Sequence, residues 1–347
     1  MRVLYRSLAV LAGSALGRSA TQHQRPVTLI TFDVDGTLVQ GSSAAAQVSA
    51  HARSFAHAVG KVFGGVSDWE KTVPSPPMLI PPVWYHGSTD GLIALQLAKH
   101  GFGQEGASAL ERLPSVFDEM YRYVAALSDA DVARGIEVLP GVREQLSLLA
   151  ARRRQPDSDV LVGLVTGNVE GIARKKMRAV GLWQLGFLSP VAGGGEEERW
   201  RGEEQTAFQG GFGSCFCSGQ IDDLSRLHKD RGEQILLAVA RAQASLGPDQ
   251  RLARVVHVGD APSDVLAACY CADHFAAAAA AAAGAAAAAS QAQAQDGAGG
   301  VEVGMVGVAT GKFGEDELRA LMRGRGEGWV VLRRGVGDEH FIKHCGL

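Results

Sequence analysis

The stretch from Thr28 to Thr37, TLITFDVDGT, constrains the fold of this chain more than any other. A β-branched and apolar run without polar alternation predicts a strand buried on both faces, as in a parallel α/β sheet. Asp33 and Asp35 follow this strand, and Gly36 supplies the backbone freedom of a turn. Because open α/β sheets carry their chemistry beyond the carboxyl ends of strands, we expect both carboxylates at that edge. An Asp-rich turn without chemistry is the alternative interpretation.

A second buried strand is predicted over Val160–Val165, and it ends in Thr166, Gly167 and Asn168. A hydroxyl and an open glycine N–H before a helix N-terminus suit phosphate oxygens. An ordinary strand-to-helix turn is the alternative. The next helix, predicted over Val169–Gly181, has a basic face that we interpret as solvated. This face consists of Arg174, Lys175, Lys176 and Arg178.

A third apolar strand is predicted over Arg254–Val258, and it leads into the sequence GDAPSD. This spacing puts Asp260 at the strand end and Asp264 one helical turn later. Carboxylate oxygens are preferred ligands of Mg²⁺, which also keeps several waters and a substrate phosphate oxygen. The three strand ends are therefore expected to meet at one edge of the sheet.

The motifs DxDGT, TGN and GDxxxD, each after an apolar strand and in this order, resemble those of the haloacid dehalogenase-like superfamily of phosphatases and dehalogenases. The resemblance implies a doubly wound, mainly parallel α/β core with an inserted helical cap of the C1 type. The segment GSTDGLIALQLAKHG is similar to one in the phosphoglycolate-phosphatase-like branch. The expected core comprises residues 27–40 and 136–335, the cap residues 41–135, and a tail residues 336–347.

The resemblance also implies a role for each motif residue. Asp33 would attack phosphorus and form an aspartyl-phosphate, and Asp35 would protonate the leaving alkoxide and then deprotonate the attacking water. Thr166 would bind phosphoryl oxygens. A cation near the start of a later helix would hold the phosphoryl group; Lys229 matches the usual spacing, with Arg231 as the alternative.

The cofactor implied by the resemblance is Mg²⁺. Its expected ligands are Asp33, the Asp35 carbonyl, Asp260 and, through water, Asp264. In the cap, Ser88, Thr89 and Asp90 precede a helix predicted over Gly91–His100, where they either face the substrate or cap the helix. Gly167 and Asn168 are expected to contact the substrate as well.

The predicted activity is Mg²⁺-dependent hydrolysis of a small phosphorylated metabolite. A phosphomutase of the same superfamily shares the core motifs and is the main alternative. A dehalogenase needs no acid for its leaving group and typically lacks the second Asp of DxD, which argues against it. A non-catalytic binding protein would not need every catalytic carboxylate.

Composition limits other classes of function. The 347 residues carry a net charge of −3, which gives no electrostatic basis for binding nucleic acid. Apolar runs do not suggest a membrane helix, and the five cysteines lack CxxC spacing, which indicates reduced thiols. Residues 1–26 contain Arg and Ser but no acidic residue, which favours a transit peptide for a chloroplast or mitochondrion. A secretory signal, or a disordered extension on a cytoplasmic protein, is the alternative.

Several connections and helices are predicted less sharply. Helices are expected over Ala44–Val62, Val116–Leu127 and Glu233–Leu246, and Lys71–Pro82 is expected to be a loop because of its prolines. A surface insertion is expected over residues 193–211, and an Ala-rich insert at about 276–300 is either a solvated helix or disordered. Further strands are expected over Val303–Ala309 and Trp329–Leu332, with a helix between them.

Overall fold

The computed structural model describes residues 24–41, 49–64, 87–155, 157–187, 210–223, 226–288 and 300–347. Its strands are β1 (Arg25–Phe32), β2 (Val39–Gly41), β3 (Ile136–Val138), β4 (Val160–Thr166), β5 (Gly211–Phe212), β6 (Gln250–Gly259), β7 (Glu302–Val308) and β8 (Trp329–Leu332). Six of them form a parallel sheet in the order β5–β4–β1–β6–β7–β8. The predicted α/β class is confirmed.

The helices of the described residues lie between these strands, except the last one, which follows β8. They are α1 (Ala50–Val59), α2 (Asp90–Phe102), α3 (Gly106–Ala125), α4 (Asp129–Ala133), α5 (Val142–Arg153), α6 (Glu170–Ala179), α7 (Leu227–Ser245), α8 (Pro262–Ala288), α9 (Glu315–Leu321) and α10 (Phe341–His344). Short π-helical turns cover Gly60–Gly64 and Trp183–Phe187, and a 3₁₀ turn covers Gly335–Gly337.

The central strand β1 explains why the sheet is covered on both faces. Successive side chains of a strand point to opposite faces. Ile30 and Phe32 are buried with Leu146 of α5 in one apolar cluster. Leu29 is buried with Ile235 of α7 in a second cluster on the opposite face. Helices thus pack on both sides, which is the doubly wound arrangement predicted from the apolar run.

A helical insert lies between the first two motifs. The chain leaves the sheet through β2 and returns through β3, and these strands pair antiparallel with Val39 opposite Val138. Helices α1 to α4 lie between them and share an apolar cluster that includes Phe117. The cluster continues onto Val169 and Ile172 at the start of α6. The insert is therefore packed against the helix that follows the second motif.

The bounds of several elements differ from the predicted ones. β1 begins at Arg25, whose guanidinium lies 2.8 Å from the Asp249 carboxylate, so the sheet starts inside the predicted extension. Helix α1 is shorter than predicted, because it gives way to a π-helical turn at Gly60. Helix α3 begins at Gly106, ten residues before the predicted start at Val116. The predicted proline-rich loop lies outside the described residues.

The prediction of a surface insertion over residues 193–211 was wrong at its end. Gly211 and Phe212 form β5, are buried, and pair with β4 at the edge of the sheet. A two-residue strand carries too little periodicity to be recognised from sequence. Residues 188–209 lie outside the described residues.

The Ala-rich insert continues helix α8 as far as Ala288. Residues Pro262–Gly284 are long and apolar enough to cross a membrane by length and composition, with a mean hydropathy of 1.4. The sequence-based exclusion of such a helix was therefore too strict. The first turns of α8 hold the fully buried Asp264 and Val265 in the core, so this criterion is weak evidence for a membrane.

Gly211→Ala should destabilise the fold, because a Cβ at this position would lie 2.0 Å from the Gln234 carbonyl oxygen of α7. We expect a loss of about 1–3 kcal/mol in the free energy of unfolding, as for other overpacked sites. The matched control is Gly284→Ala, at an exposed helical site with no atom within 4 Å of the added methyl. Urea unfolding of both variants checks this, and equal stabilities would contradict the close packing of β5 on α7.

Candidate active site

The three predicted motifs meet at the carboxyl edge of the sheet. β1 lies between β4 and β6, so the loops that follow these three strands are neighbours. A cavity of about 250 Å³ lies over this edge, beneath the helical insert. The predicted residues that line it are Asp33, Asp35, Ser88, Asp90, Thr166, Gly167, Asn168, Arg231 and Asp260.

Glycines allow the loops to approach each other closely. Gly36 has a φ of +90°, and a Cβ there would lie 2.2 Å from an oxygen of Asp260. A Cβ on Gly311, after β7, would lie 1.7 Å from the same carboxylate. Only glycine therefore fits beside Asp260 at these two positions. Thr37 donates a hydrogen bond to Asp260 over 3.3 Å, which orients the carboxylate.

Three carboxylates form a buried acidic cluster at the bottom of the cavity: Asp33, Asp260 and Asp264. One ligand oxygen from each lies within 4.8 Å of those of the other two. Arg231 of α7 lies between two of them, with its Nη1 atom 2.9 Å from Oδ1 of both Asp33 and Asp264. Arg231 thus brings its positive charge into direct contact with two carboxylates of the cluster, while its buried Nε has no hydrogen-bond acceptor among the described residues.

The charges in the acidic cluster are unbalanced. Burial, only partly offset by Arg231, raises the pKa of Asp33. Burial and the neighbouring carboxylates Asp264 and Asp33 raise the pKa of Asp260 well above its usual range. Burial also opposes ionisation of Asp264, but Arg231 and His257 outweigh it and lower the pKa of this carboxyl. One guanidinium thus offsets only part of the negative charge of the cluster.

This donor set fits a divalent metal ion. Hard cations prefer carboxylate oxygens, and a second positive charge would balance the buried negative charge that Arg231 leaves over. Asp33, Asp260 and Asp264 could therefore hold a metal together. Asp264 is further fixed by a hydrogen bond from the Ala261 N–H over 3.0 Å and by His257, 3.3 Å away.

Asp35 has a different environment from Asp33. About half of its side chain is exposed, and Lys176 of α6 lies 2.8 Å from its Oδ2 atom. Burial opposes ionisation, but Lys176, His51 and a hydrogen bond from Asn168 outweigh it and lower the pKa of Asp35 to about 2. Asp33 and Asp35 are two residues apart, and their pKa values are shifted in opposite directions.

The expectation that the basic face of α6 is solvated was wrong for Lys176. This residue is 4% exposed, lines the cavity and contacts Asp35. Arg174 pairs with Glu170 of the same helix, with 2.6 Å between its Nη2 atom and the Glu170 Oε1 atom, and its side chain is only 16% exposed. The spacing of charges along a helix does not tell which one faces a carboxylate in the fold. His51, at the start of α1, was missed for the same reason.

The three predicted cap residues differ in their position relative to the cavity. Ser88 and Asp90 line the cavity, and Thr89 is buried outside it. Thr89 occupies the N-cap position of α2 but makes no side-chain capping hydrogen bond. The Oδ2 atom of Asp90 accepts a hydrogen bond of 2.7 Å from the backbone N–H of Val169.

The structure places the alternative cation, Arg231, beside Asp33. Helix α7 begins at Leu227, six residues before its predicted start, so both candidate cations lie inside its first turns. Arg231 points to the acidic cluster and is 2% exposed. Lys229 is half-buried and is not among the residues that line the cavity.

Thr166 is buried at the end of β4 and lines the cavity. Its Oγ1 accepts a long hydrogen bond of 3.4 Å from the Asn168 N–H. A Cβ on Gly167 would lie 2.3 Å from the Ser88 carbonyl oxygen, so glycine also fits the contact between this loop and the insert. The site thus joins metal-type ligands, a cation and a threonine around one small cavity.

Comparison with known protein families matches residues 27–269 to a hydrolase family, the haloacid dehalogenase-like hydrolases. The match covers more than half of the chain. The protein therefore belongs to the haloacid dehalogenase-like hydrolase family, and it is a hydrolase-family enzyme. The superfamily prediction is confirmed. A comparison with curated proteins gave no match.

Solved structures show distant likenesses. A haloacid dehalogenase-like family protein from Streptococcus pneumoniae is 13% identical, with 89% of this chain and 95% of that chain covered and a TM-score of 0.36. A provisionally assigned β-phosphoglucomutase from Thermotoga maritima is 16% identical, with the same coverage and a TM-score of 0.37. A provisionally assigned phosphoglycolate phosphatase from Lactobacillus plantarum is 14% identical, with 70% and 80% covered and a TM-score of 0.31. These likenesses are too distant to inform on activity.

Arg231→Met should destabilise the protein by about 3–5 kcal/mol near neutral pH, because two buried carboxylates lose their shared cation. Arg231 lowers the pKa of Asp264, so the stability it provides is present above the unfolded pKa and is lost as the pH falls. The difference from the wild type should therefore shrink in acid. Denaturant unfolding across pH measures it.

The matched control is Lys229→Met, which removes a half-buried lysine two residues away on the same helix. Its effect should stay within about 0.5 kcal/mol, as for most surface substitutions. Equal losses in the two variants would contradict the ion pairs assigned to Arg231.

Proposed function

We propose that this enzyme hydrolyses a small phosphomonoester through an aspartyl-phosphate formed on Asp33, with Mg²⁺ as cofactor. The observation that carries the proposal is the position of Asp33. Its carboxylate belongs to the acidic cluster, lies 2.9 Å from the Arg231 guanidinium, and lines the same cavity as Asp35. A nucleophile, a cation for the phosphoryl group and a second carboxylate for proton transfer are thus together in one site.

The first step is attack of an Asp33 oxygen on phosphorus, which breaks the bond between phosphorus and the leaving oxygen. Because the pKa of Asp35 is lowered to about 2, this carboxylate must first take up a proton, which it then gives to the leaving oxygen. Arg231, Thr166 and the amides that follow Thr166 would neutralise charge on the phosphoryl oxygens. Asp33 suits attack because it lies at the end of a rigid central strand, and its N–H donates to the Val258 carbonyl over 2.8 Å.

The second step is hydrolysis of the aspartyl-phosphate. Water attacks phosphorus, its proton passes to Asp35, and inorganic phosphate leaves with the Asp33 carboxylate restored. The lowered pKa of Asp35 favours the ionised form, which is the form that this step requires. Asp33, Asp260, Asp264 and the Asp35 carbonyl are the proposed holders of Mg²⁺, which when bound supplies positive charge toward the phosphoryl oxygens.

The substrate is proposed from the size of the site. A cavity of about 250 Å³ under a helical insert fits a small phosphorylated metabolite better than a phosphoprotein. The position of the insert between Asp35 and Thr166 supports a C1-type cap. A substrate similar to phosphoglycolate is our expectation, from the resemblance to the phosphoglycolate-phosphatase-like branch. We also propose that residues 1–26 direct import into an organelle.

Phosphate release by the full chain with Mg²⁺ should be observed on a panel of small phosphomonoesters that includes phosphoglycolate, sugar phosphates and nucleoside monophosphates. Asp33→Asn should lower turnover by about 10⁴-fold or more, because the nucleophile is lost. Chelation should abolish release. Asp131→Asn, at a surface pair with Arg134 in the cap, should keep full activity.

Two results would count against this function. Full activity in Asp33→Asn would remove the nucleophile from the account. Isomerised sugar phosphate without release of inorganic phosphate would make the enzyme a mutase instead.

Mg²⁺ should also stabilise the fold, because it binds the native acidic cluster and not the unfolded chain. At a concentration one hundred times the Kd the gain is about 2.7 kcal/mol. Thermal melts with MgCl₂ and with NaCl at matched ionic strength measure it. Asp260→Asn should lose most of the Mg²⁺-specific shift, and a shift that this variant retains in full would place the metal elsewhere.

A further inference from the structure

Lys176 is buried where a lysine is costly, and each of its donors has a partner. Its Nζ atom lies 2.8 and 3.0 Å from the two carboxylate oxygens of Asp35, and 2.7 Å from the Asn168 Oδ1 atom. It also lies 3.1 Å from Nδ1 of His51. An ammonium group has three N–H donors, so these three residues use all of them.

Asn168 holds the same carboxylate from a second side. Its Oδ1 accepts from Lys176, so its Nδ2 is free to donate, and it does so to Asp35 Oδ2 over 3.0 Å. The orientation of the amide is thereby set by its neighbours. Two donors from the core, one on α6 and one in the loop before it, thus bind the half-exposed Asp35 carboxylate.

The cap holds Lys176 in turn. His51 lies in the first turn of α1, and its Nδ1 atom lies 3.1 Å from the Lys176 Nζ atom. Its Nε2 atom lies 2.9 Å from Oδ2 of Asp90, the first residue of α2. The same Asp90 oxygen accepts the N–H of Val169, which is the N-cap residue of α6. Two residues of the insert therefore contact α6: His51 contacts Lys176, and Asp90 accepts the N–H of Val169.

These five residues, Asp35, Lys176, Asn168, His51 and Asp90, form what we call the Lys176 cluster. The neighbouring lysine on α6 is used differently. Lys175 reaches Asp129 of α4 over 2.7 Å, and this carboxylate is more than half exposed. Burying an ammonium costs several kcal/mol unless it is paired and hydrogen-bonded, and Lys176 is both. The Lys176 cluster thus holds Asp35, which is not part of the acidic cluster, in a defined orientation.

We propose that Lys176 is a positioning residue for Asp35, and that His51 makes its placement depend on the docked cap. The inference rests on the proposed function, in which Asp35 exchanges a proton with the leaving group. Rotation about two side-chain bonds would otherwise let Asp35 leave the reacting geometry, and misplacement by about 1 Å can cost about 10²-fold in rate. Lys176 acts through Asp35 and needs no contact with the phosphoryl group.

The test compares two esters of similar shape, phenyl phosphate and p-nitrophenyl phosphate. Phenolate is a poor leaving group and needs the proton from Asp35, whereas p-nitrophenolate leaves readily without one. The ratio kcat/KM reports the steps up to formation of the aspartyl-phosphate, so the later water attack does not enter.

Lys176→Gln should lower kcat/KM for phenyl phosphate by about 10²-fold and for p-nitrophenyl phosphate by less than about tenfold. Asp35→Asn should show the same split more strongly, within the range of about 10²–10⁴-fold expected for a general acid. His51→Ala should show it in the same direction and more weakly, and it serves as the second variant should Lys176→Gln not fold. Lys175→Gln, the matched control on the same helix, should leave both values unchanged.

Each outcome decides between the claims. Equal losses on both esters in a folded Lys176→Gln, or no loss, would overturn the positioning role. If Lys176→Gln loses more kcat/KM on phenyl phosphate than on p-nitrophenyl phosphate, as expected, but His51→Ala shows no such difference, the dependence on the cap would be overturned. A wild type inactive on both esters, or an active Asp33→Asn, would instead be a failure of the proposed function.

Discussion

The crowding of negative charge at one sheet edge is the constraint on which this structure depends. Asp33, Asp260 and Asp264 offer oxygens within 4.8 Å of one another, and all three are buried. Such a cluster is unfavourable by itself, and one guanidinium, from Arg231, offsets only part of it. The parallel sheet places these groups together because β1 lies between β4 and β6. A divalent cation held by the three carboxylates would supply the positive charge that Arg231 alone does not.

The two aspartates of DVDGT have different surroundings, and the proposed function gives them different roles. Asp33 lies among carboxylates and its pKa is raised, whereas the pKa of Asp35 is lowered to about 2 beside Lys176. Both residues lie in the same short loop, so the difference between their pKa values comes from the elements packed around it. These are α7 with Arg231, α6 with Lys176, and the insert with His51. The site is therefore a property of the packed cap and core together.

Much of the core could be predicted from the sequence, because the central strands are unbroken apolar runs that end in polar motifs. Positions that depend on helix phase could not. With the helix predicted to start at Glu233 and not at Leu227, the spacing favours Lys229, whereas it is Arg231 that contacts Asp33. The run of basic residues around Lys176 predicts a solvated face, because the same pattern occurs on any exposed helix, yet Lys176 is buried. Its burial follows from long-range contacts with Asp35 and His51, which no local pattern contains.

The most direct test of the account is to identify the residue that carries the phosphoryl group. The full chain, with Mg²⁺ and a substrate that it turns over, would be quenched during turnover, reduced with borohydride, and digested for mass spectrometry. The account predicts reductive conversion at position 33 in the peptide that contains DVDGT, and none at position 35. Conversion at another carboxylate, or phosphate release without any modified peptide while turnover proceeds, would contradict the assignment of Asp33 as the nucleophile.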